Sequence, residues 1–473
     1  MIREKTCNAR TATGELGSLA SRRSMDREWV ELCSRYLPIT AQDSIWRFSR
    51  PVSPQDPTQG WKLHISSTVL TISKVLRKIA PYLSSRGELY KAPRSLTEVA
   101  NLNCGLFYGY SQIGKCITIY PKNAEEAHVL ARRLDKVTRR IPSPCVPFDV
   151  PYRRGGSVFY RYGAFNSLTL EQPDGTHVPA IRAPDGTLVP DRRAVGTAAP
   201  SWVINPFLLP QVPRAAKTDS LLGTSIFAYK AISQRGKGGV YKAIDTSTRG
   251  ARLCILKEGR RHGETGWDGR DGRWRVRHEQ QVLEALARSG IGVPKVYASF
   301  SAQGNYYVVM ELIEGSDLEQ IITDAPSPLP FNRAIQYGVQ LAELLNNIHQ
   351  AGWVWRDCKP SNLMLTDDGV MRPLDFEGAH LMDHPDPEPW GTLGYIPPEV
   401  SAGPRAAHDL YALGAILHQL LTGEVPKRNL EKQRRQHLPP AIDSLISSLL
   451  DSRPEARPDA RTVSEILRAQ AGH

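Results

Sequence analysis

Paired cysteines are missing from this sequence. Its seven cysteines, at positions 7, 33, 104, 116, 145, 254 and 358, are scattered, and no Cys-x-x-Cys occurs. That excludes a cysteine-built zinc site and a disulfide-stapled secreted fold, and it predicts a reduced, cytoplasmic chain. No apolar run is long enough to cross a bilayer. The basic start, with Arg3, Lys5, Arg10, Arg22 and Arg23 among Ser, Thr, Gly and Ala, is not followed by an apolar core. A secretory signal is thereby excluded, and residues 1 to about 24 are expected to be disordered. Met25, where patterning begins, is a candidate true start.

What is present describes a multidomain globular protein. The 473 residues suffice for two or three domains, and 41% hydrophobic with 23% charged residues gives ample core material. A net charge of +12 admits nucleic acid, membrane surface, acidic peptide or phosphate as partner and chooses none of them.

From about 25 to 213 the pattern mixes strands and helices. Trp61-Lys62-Leu63-His64-Ile65-Ser66 and Gly114-Lys115-Cys116-Ile117-Thr118-Ile119-Tyr120 alternate as strands do. Between them Val69, Ile72, Val75, Leu76 and Ile79 recur at helical spacing, as do Ala127, Leu130, Leu134 and Val137 further on. Val158 to Phe165 reads as another strand, and Pro-Asp-Gly-Thr at 173–176 and 184–187 as two successive hairpin turns. The spacing Lys62-x-His64 sets two proton-handling groups on one face of a strand. With Lys91, Lys115 and Arg161 they make a set suited to eliminating phosphate from phosphoserine or phosphothreonine: a base, an acid, an enolate stabiliser and phosphate holders. The segment 214–222 is a linker, and a second domain runs over 223–473, its small lobe ending near 313 and its large lobe covering 314–473.

That second domain carries Trp355-Arg356-Asp357-Cys358-Lys359-Pro360-Ser361-Asn362 and Asp375-Phe376-Glu377. Phosphoryl transfer needs a carboxylate for the hydroxyl proton and oxygen ligands for magnesium. Asp357 supplies the first, and Asn362 with Asp375 the second. These stretches resemble the catalytic loop and metal motif of protein kinases, with Trp355 in place of the usual His and Glu377 in place of the usual Gly. The resemblance implies ATP and Mg2+ as cofactors. It also implies a nucleotide loop with Gly236, Gly238, Gly239 and Val240, although two of the family's glycines fall at Ser233 and Arg235. Lys257 matches the strand lysine, Glu279 its helix partner and Glu311 the hinge; Lys359 argues for peptide hydroxyls as acceptors. Glu399 and Arg457 match a structural pair, and Asp409 opens a further helix. Arg260 to Arg277, rich in Gly and Arg, reads as a mobile loop, or more sharply as a clamp for acidic peptide. Gly378 to Trp390 has no Ser, Thr or Tyr to phosphorylate, while Asp383, Asp386 or Glu388 can offer Arg356 a fixed carboxylate, so constitutive activity is expected. Thr392 and Tyr395 lie where the family's loop faces substrate.

The order Trp-Lys-Leu-His-Ile-Ser, Gly-Lys-Cys-Ile-Thr-Ile-Tyr-Pro, Tyr-Arg-Tyr-Gly-Ala-Phe and Pro-Asp-Gly-Thr-Leu-Val-Pro-Asp-Arg-Arg resembles the N-terminal lyase domain of class III lanthipeptide synthetases. The resemblance implies a phosphothreonine-lyase-like α+β domain followed by a bilobal kinase domain. It implies His64 as general acid, Lys91 as general base, Lys62 as stabiliser of the carbonyl oxygen, and Lys115 and Arg161 on phosphate, with no cofactor for the lyase. The partner implied is a ribosomal precursor peptide with a leader; no nucleic-acid or membrane partner is expected. The family's C-terminal cyclase is not in this sequence, so ring closure is expected of a separate cyclase or tailoring enzyme, if it occurs. Competing readings are a signalling Ser/Thr kinase with a partner-binding N-terminal domain, and a phosphopeptide-binding scaffold.

Overall fold

Patterning starts earlier than Met25. The computed structural model describes residues 19–40, 44–165, 168–191, 199–207, 224–325, 328–382, 384, 386, 389–399, 405–426 and 437–471. In it helix α1 spans Leu19–Tyr36, so residues 19–24, expected to be disordered, are helical. The reason is register: Trp29, Cys33 and Leu37 are fully buried at four-residue spacing, Met25 packs beside them, and Arg22 lies 5.5 Å over the Trp267 ring. Residues 1–18 and the 214–222 linker lie outside the described residues.

The first unit is built on a seven-stranded antiparallel sheet. Its strands are β1 (Ile39–Thr40), β2 (Trp46–Phe48), β3 (Gln59–Ile65), β4 (Leu89–Pro93), β5 (Ile117–Tyr120), β6 (Val150–Pro151) and β7 (Val158–Ala164), in the order β1-β2-β4-β5-β3-β7-β6. Helices α2 (Ile72–Ser85), α3 (Leu96–Cys104) and α4 (Ala124–Thr138) connect them. α2 buries Ile72, Val75, Leu76, Ile79 and Leu83, the stripe its sequence spacing requires. Ser95 caps α3 through the Glu98 N–H (3.3 Å), and Asn123 caps α4 through the Glu126 N–H (2.9 Å). Trp61, Leu63, Ile65, Tyr90, Ala92, Ile117, Ile119, Val158 and Tyr160 pack with the helices in one core. The strand period of two therefore turns the alternate residues to the opposite face. Both Pro-Asp-Gly-Thr sequences form turns of a three-stranded meander, β8 (Thr169–Glu171), β9 (His177–Arg182) and β10 (Leu188–Pro190).

The second unit has a small lobe and a helical lobe. Strands β11 (Ile226–Gln234), β12 (Gly238–Asp245), β13 (Arg252–Gly259), β14 (Val296–Ala302) and β15 (Asn305–Glu311) form a sheet in the order β11-β12-β13-β15-β14, with helix α5 (Gly272–Arg288) packed on it. The other lobe holds α6 (Leu318–Asp324), α7 (Phe331–Gln350), α8 (Ala406–Thr422), α9 (Pro440–Leu449) and α10 (Ala460–Ala471) around Leu341, Leu345, Leu413, Leu417, Ile446 and Leu467. Arg457 grips Glu399 at 2.5 and 3.0 Å, as the sequence suggested.

Arg260 to Arg277 is not a loop throughout. Asp271 caps α5 by accepting the Trp274 N–H at 2.9 Å, so residues 272–277 are helix, with Val276 already buried. Residues 260–271 are laced by Arg260 N–H to the Lys237 carbonyl (2.8 Å) and Gly272 N–H to the Gly263 carbonyl (2.8 Å). Nor do its arginines form an open clamp: Arg270 pairs with Asp268 and Asp386, Arg275 lies over Trp390, and Arg277 over Tyr306.

The two units touch at the turn between β11 and β12. The Gly236 N–H donates to the Cys104 carbonyl at 2.9 Å, and a Cβ on Gly236 would lie 1.6 Å from the Asn103 carbonyl oxygen. Arg260 stands 5.3 Å over the ring of Tyr110. Gly236, expected over the nucleotide phosphates, thus serves close backbone approach to the first unit and does not line the cleft.

Candidate active sites

Two separate sets of polar side chains lie in the chain, one in each unit. In the second, Lys257 on β13 reaches Glu279 of α5 at 2.6 Å, Asp375 at 3.0 Å and Glu377 at 3.0 Å. Burial alone would lower the Lys257 ammonium, but Asp375, Glu279 and Glu377 outweigh it and hold its pKa well above the usual value. Burial also raises Glu279, to about 7, against the pull of Lys257.

The catalytic loop is held by Asp409, which accepts the backbone N–H of Trp355 (2.8 Å) and of Arg356 (2.7 Å). Those bonds fix a stretch in which Arg356 has φ of 70°; in the metal motif Asp375 has φ of 58°, and both are left-handed positions uncommon for such residues. The Trp355 departure has a structural consequence: its indole N–H donates to the Asp375 carbonyl at 3.0 Å and its ring stacks on Phe376 at 5.2 Å. The loop and the metal motif are therefore tied together without a histidine.

Asp357 is partly buried, and its carboxyl is pushed up by that burial, partly offset by Lys359. It contacts Lys359 Nζ at 2.9 Å, accepts the Thr392 hydroxyl at 2.7 Å, and takes Asn362 Nδ2 at 3.1 Å. Asn362 Nδ2 also donates to the Asp357 carbonyl at 2.8 Å, so its amide oxygen is the atom left to offer a metal. A carboxylate from Asp375 and an amide oxygen from Asn362 are the hard oxygen donors that Mg2+ requires. A cleft of about 640 Å³ beside them is lined by Ile232, Val240, Ile255, Met310, Leu312 and Leu374. Glu311 lines it too, with its carboxylate Oε2 held by Arg372 at 3.0 Å and by the Lys295 N–H at 3.0 Å, and its own N–H donated to the Lys295 carbonyl at 2.8 Å. Gly238 and Gly239 border the phosphate end. At Gly238 a Cβ would meet the Glu258 carbonyl oxygen at 1.7 Å, which is why that position is glycine.

The activation segment has its fixed carboxylate. Asp386 lies 2.7 Å from Arg356 and 3.2 Å from Arg270, and Arg356 and Asp386 are both almost completely buried. Asp383 and Glu388 lie outside the described residues. Removing one partner of a buried pair strands the other charge. Asp386→Asn should therefore lower phosphorylation by about tenfold or more without any change in the enzyme's need for an upstream kinase. Initial rates on one peptide acceptor check this, and an unchanged rate removes the carboxylate-for-phosphate argument.

In the first unit the sheet register assembles the site. Lys91 on β4 pairs with Thr118 on β5, which pairs with His64 on β3; Lys62 on β3 pairs with Arg161 on β7. These residues alternate with the core-facing ones, so Lys91, His64, Lys62 and Arg161 share the face away from the helices. Lys115, from the segment before β5, joins from the side through Asp149. His64 Nδ1 lies 2.5 Å from Asp149 Oδ2, and Lys115 Nζ lies 3.0 Å from Asp149 Oδ1. Arg161 is paired with Asp191.

Burial dominates the proton chemistry here. It pulls Lys62 down to about 7, helped by the positive charge of Arg161, and pulls Lys91 down to about 8. Lys91 Nζ sits 4.1 Å over the Trp46 ring. The His64 imidazole is pulled down to about 3 by burial, which outweighs Asp149. It is therefore neutral with nothing bound, and a phosphate dianion brought beside it raises its proton affinity.

All the sequence-derived residues of each set converge except Gly236. Sequence reasoning missed Asp149, Asp191 and Lys237, gave no role to Glu377, and set Thr392 facing substrate without its bonds to Asp357 and Lys359. Asp149 follows Phe148, whose φ is 65°, on a loop where no periodicity marks it. Among the described residues no helix is long and apolar enough to cross a membrane.

Comparison with known proteins agrees with this division. The family described as RamC, N-terminal domain, matches residues 39–219, and the protein kinase domain family matches residues 229–468. A probable SapB synthase of Streptomyces coelicolor is 29% identical over 412 residues, covering 84% of this chain and 43% of that protein. A probable serine/threonine-protein kinase of Clostridium acetobutylicum is 31% identical over 209 residues, covering 42% of this chain and 30% of that protein. A probable serine/threonine-protein kinase PknB of Lactococcus lactis is likewise 31% identical over 216 residues, covering 42% of this chain and 33% of that protein. The chain thus spans less than half the length of these relatives.

Proposed function

The chain belongs to the protein kinase family, and from that premise we propose that it is a peptide Ser/Thr dehydratase of the lanthipeptide synthetase type. Its kinase unit phosphorylates Ser or Thr of a ribosomally made precursor peptide, with ATP and Mg2+, and its first unit expels the phosphate to leave a dehydroamino acid. The observation that supports this reading is the meeting of Lys91, His64, Lys62 and Arg161 on one sheet face, in the same chain as a complete kinase set. The RamC-type match over 39–219 and the likeness to a SapB synthase point the same way.

In the kinase step Asp357 accepts the hydroxyl proton, and Lys359, bonded to both Asp357 and Thr392, steadies the transferring phosphoryl group. Asp375 and the Asn362 amide oxygen would hold magnesium, which would supply charge neutralisation for the phosphate oxygens. In the elimination step neutral Lys91 takes the α-proton, the electron pair forms the Cα=Cβ bond, and the Cβ–O bond breaks. His64, its Nδ1 fixed by Asp149 and its ring protonated as the phosphate dianion binds beside it, gives the proton that the leaving phosphate needs. Lys62 carries the charge that develops on the carbonyl oxygen, and Arg161 and Lys115 hold the phosphate.

Two consequences can be measured. The elimination needs Lys91 neutral and Lys62 charged, yet burial sets Lys91 at about 8 and Lys62 at about 7. The productive form is then a minority. His64 must be charged as well, and its charged fraction falls across this range as neutral Lys91 rises. We therefore expect kcat/KM on a pre-phosphorylated peptide to run level below about 7 and to fall above it. In kcat the alkaline limb should move up, because bound phosphate stabilises the charged Lys62. A profile flat across both values would separate these lysines from the chemistry. Second, the elimination set is made of lysines, an arginine and a histidine, so conversion of phosphopeptide should continue in excess chelator while phosphorylation stops. Loss of elimination on chelation, restored by added metal, would assign the site differently. The experiment that tests the whole proposal is mass spectrometry of the precursor peptide after incubation with ATP and magnesium, which should find dehydrated residues.

A further inference from the structure

Glu377, where this chain departs from the kinase pattern, faces a lysine of the nucleotide loop across the phosphate end of the cleft. The residue between Gly236 and Gly238 of the nucleotide loop is Lys237, and the residue after Phe376 is Glu377. Lys237 Nζ lies 2.5 Å from Glu377 Oε2, while Glu377 Oε1 lies 3.0 Å from Lys257 Nζ. One lysine from the loop and one from β13 thus converge on the same carboxylate.

The loop lysine is placed by its backbone. The Lys237 carbonyl accepts the Arg260 N–H at 2.8 Å, and a Cβ on Gly272 would come within 1.8 Å of that carbonyl oxygen. Its side chain lines the same hollow as Lys257, Lys359, Asn362 and Asp375, between the strand lysine and the catalytic loop. Around it the carboxylates of Glu279, Asp375 and Glu377 already pair with Lys257 and Lys237, so a polyphosphate entering here must compete with them for those lysines. The loop also has Ser233 and Arg235 where the family has glycine, which limits how closely its backbone can close on phosphate.

We propose that Lys237 is a second phosphate-binding lysine, which takes the terminal phosphate of the nucleotide, and that Glu377 holds it in position while the cleft is empty. Lys257 stays with Glu279 and serves the inner phosphates. On binding, Lys237 exchanges one anionic partner for another, and Glu377 keeps Lys257. The inference rests only on the cleft binding a nucleoside triphosphate, and is independent of what the first unit does.

Calorimetric titration of the full chain separates this role from a merely structural latch. Two ligands are compared, ADP and the β,γ-imido analogue of ATP, each with magnesium and again in chelator. Lys237→Met should weaken the imido analogue by about tenfold or more, the range of a charge-assisted hydrogen bond, and leave ADP within about twofold. Lys237→Arg should restore most of the loss. Glu377→Gln should tighten the analogue relative to ADP, since no ion pair has to be exchanged. If Lys237→Met, at an unchanged thermal midpoint, keeps the wild-type ratio of the two affinities, the assignment is overturned. Should that variant's midpoint fall, Glu377→Gln decides: a ratio that does not rise overturns the assignment as well.

Discussion

Asp357→Asn should return precursor peptide unmodified from incubation with ATP and magnesium, yet convert the corresponding phosphopeptide to dehydrated product at the wild-type rate. Asp357 is the carboxylate that Lys359, Thr392 and Asn362 all surround. An amide there keeps the shape and removes the proton acceptor. Loss of a positioned general base typically costs about 10²–10⁴-fold in rate, so phosphorylation should fall below detection in an ordinary time course. The elimination residues lie on a different sheet in the first unit. Mass spectra of both reactions check the two halves of the prediction at once. If the variant fails on phosphopeptide too, the two sites are not separable in the way proposed.

Lys91→Ala should give the mirror result. ATP is consumed, and the peptide accumulates at the phosphorylated stage because its α-proton has no base; a loss of about 10²–10⁴-fold in elimination would make that intermediate plain. Lys91 suits the role because burial has already brought its ammonium down to about 8, with Trp46 packed 4.1 Å beneath it. His64→Ala should accumulate the same intermediate less completely, since water can deliver part of the proton a phosphate leaving group needs. A Lys91→Ala enzyme that still yields dehydrated peptide would move the base to Lys62, the other lysine of the face.

Much of this was legible in the chain, for reasons that differ from site to site. Lys62 and His64 could be placed together because a strand repeats every two residues, and β3 is flanked by the strands that bring Arg161 and, through Thr118, Lys91 into line. The kinase set was legible as a linear motif with fixed spacing. Asp149 was not, because it belongs to a loop before a two-residue strand and acts by distance alone, 2.5 Å from His64 across 85 positions of sequence. Glu377 and Trp355 were visible only as departures. What they do depends on partners far away, Lys237 at the tip of the nucleotide loop and the Asp375 carbonyl. The start of α5 was misplaced because arginines and glycines hid a helix whose cap is Asp271 and whose first core residue is Val276. Gly236 was misread for a related reason: a glycine in a nucleotide loop suggests phosphate, whereas here the space it leaves is filled by Asn103 and Cys104 of the other unit.

The central claim is that one polypeptide both adds the phosphate and removes it by elimination. The most direct measurement takes the phosphopeptide made by the Lys91→Ala enzyme, frees it of ATP and metal, and gives it to wild-type protein in excess chelator. The account predicts inorganic phosphate and a peptide lighter by one water than the unphosphorylated starting material at each modified residue. Recovery of the phosphopeptide unchanged, or of the original Ser or Thr by hydrolysis, would contradict it and leave a protein kinase whose first unit serves another purpose.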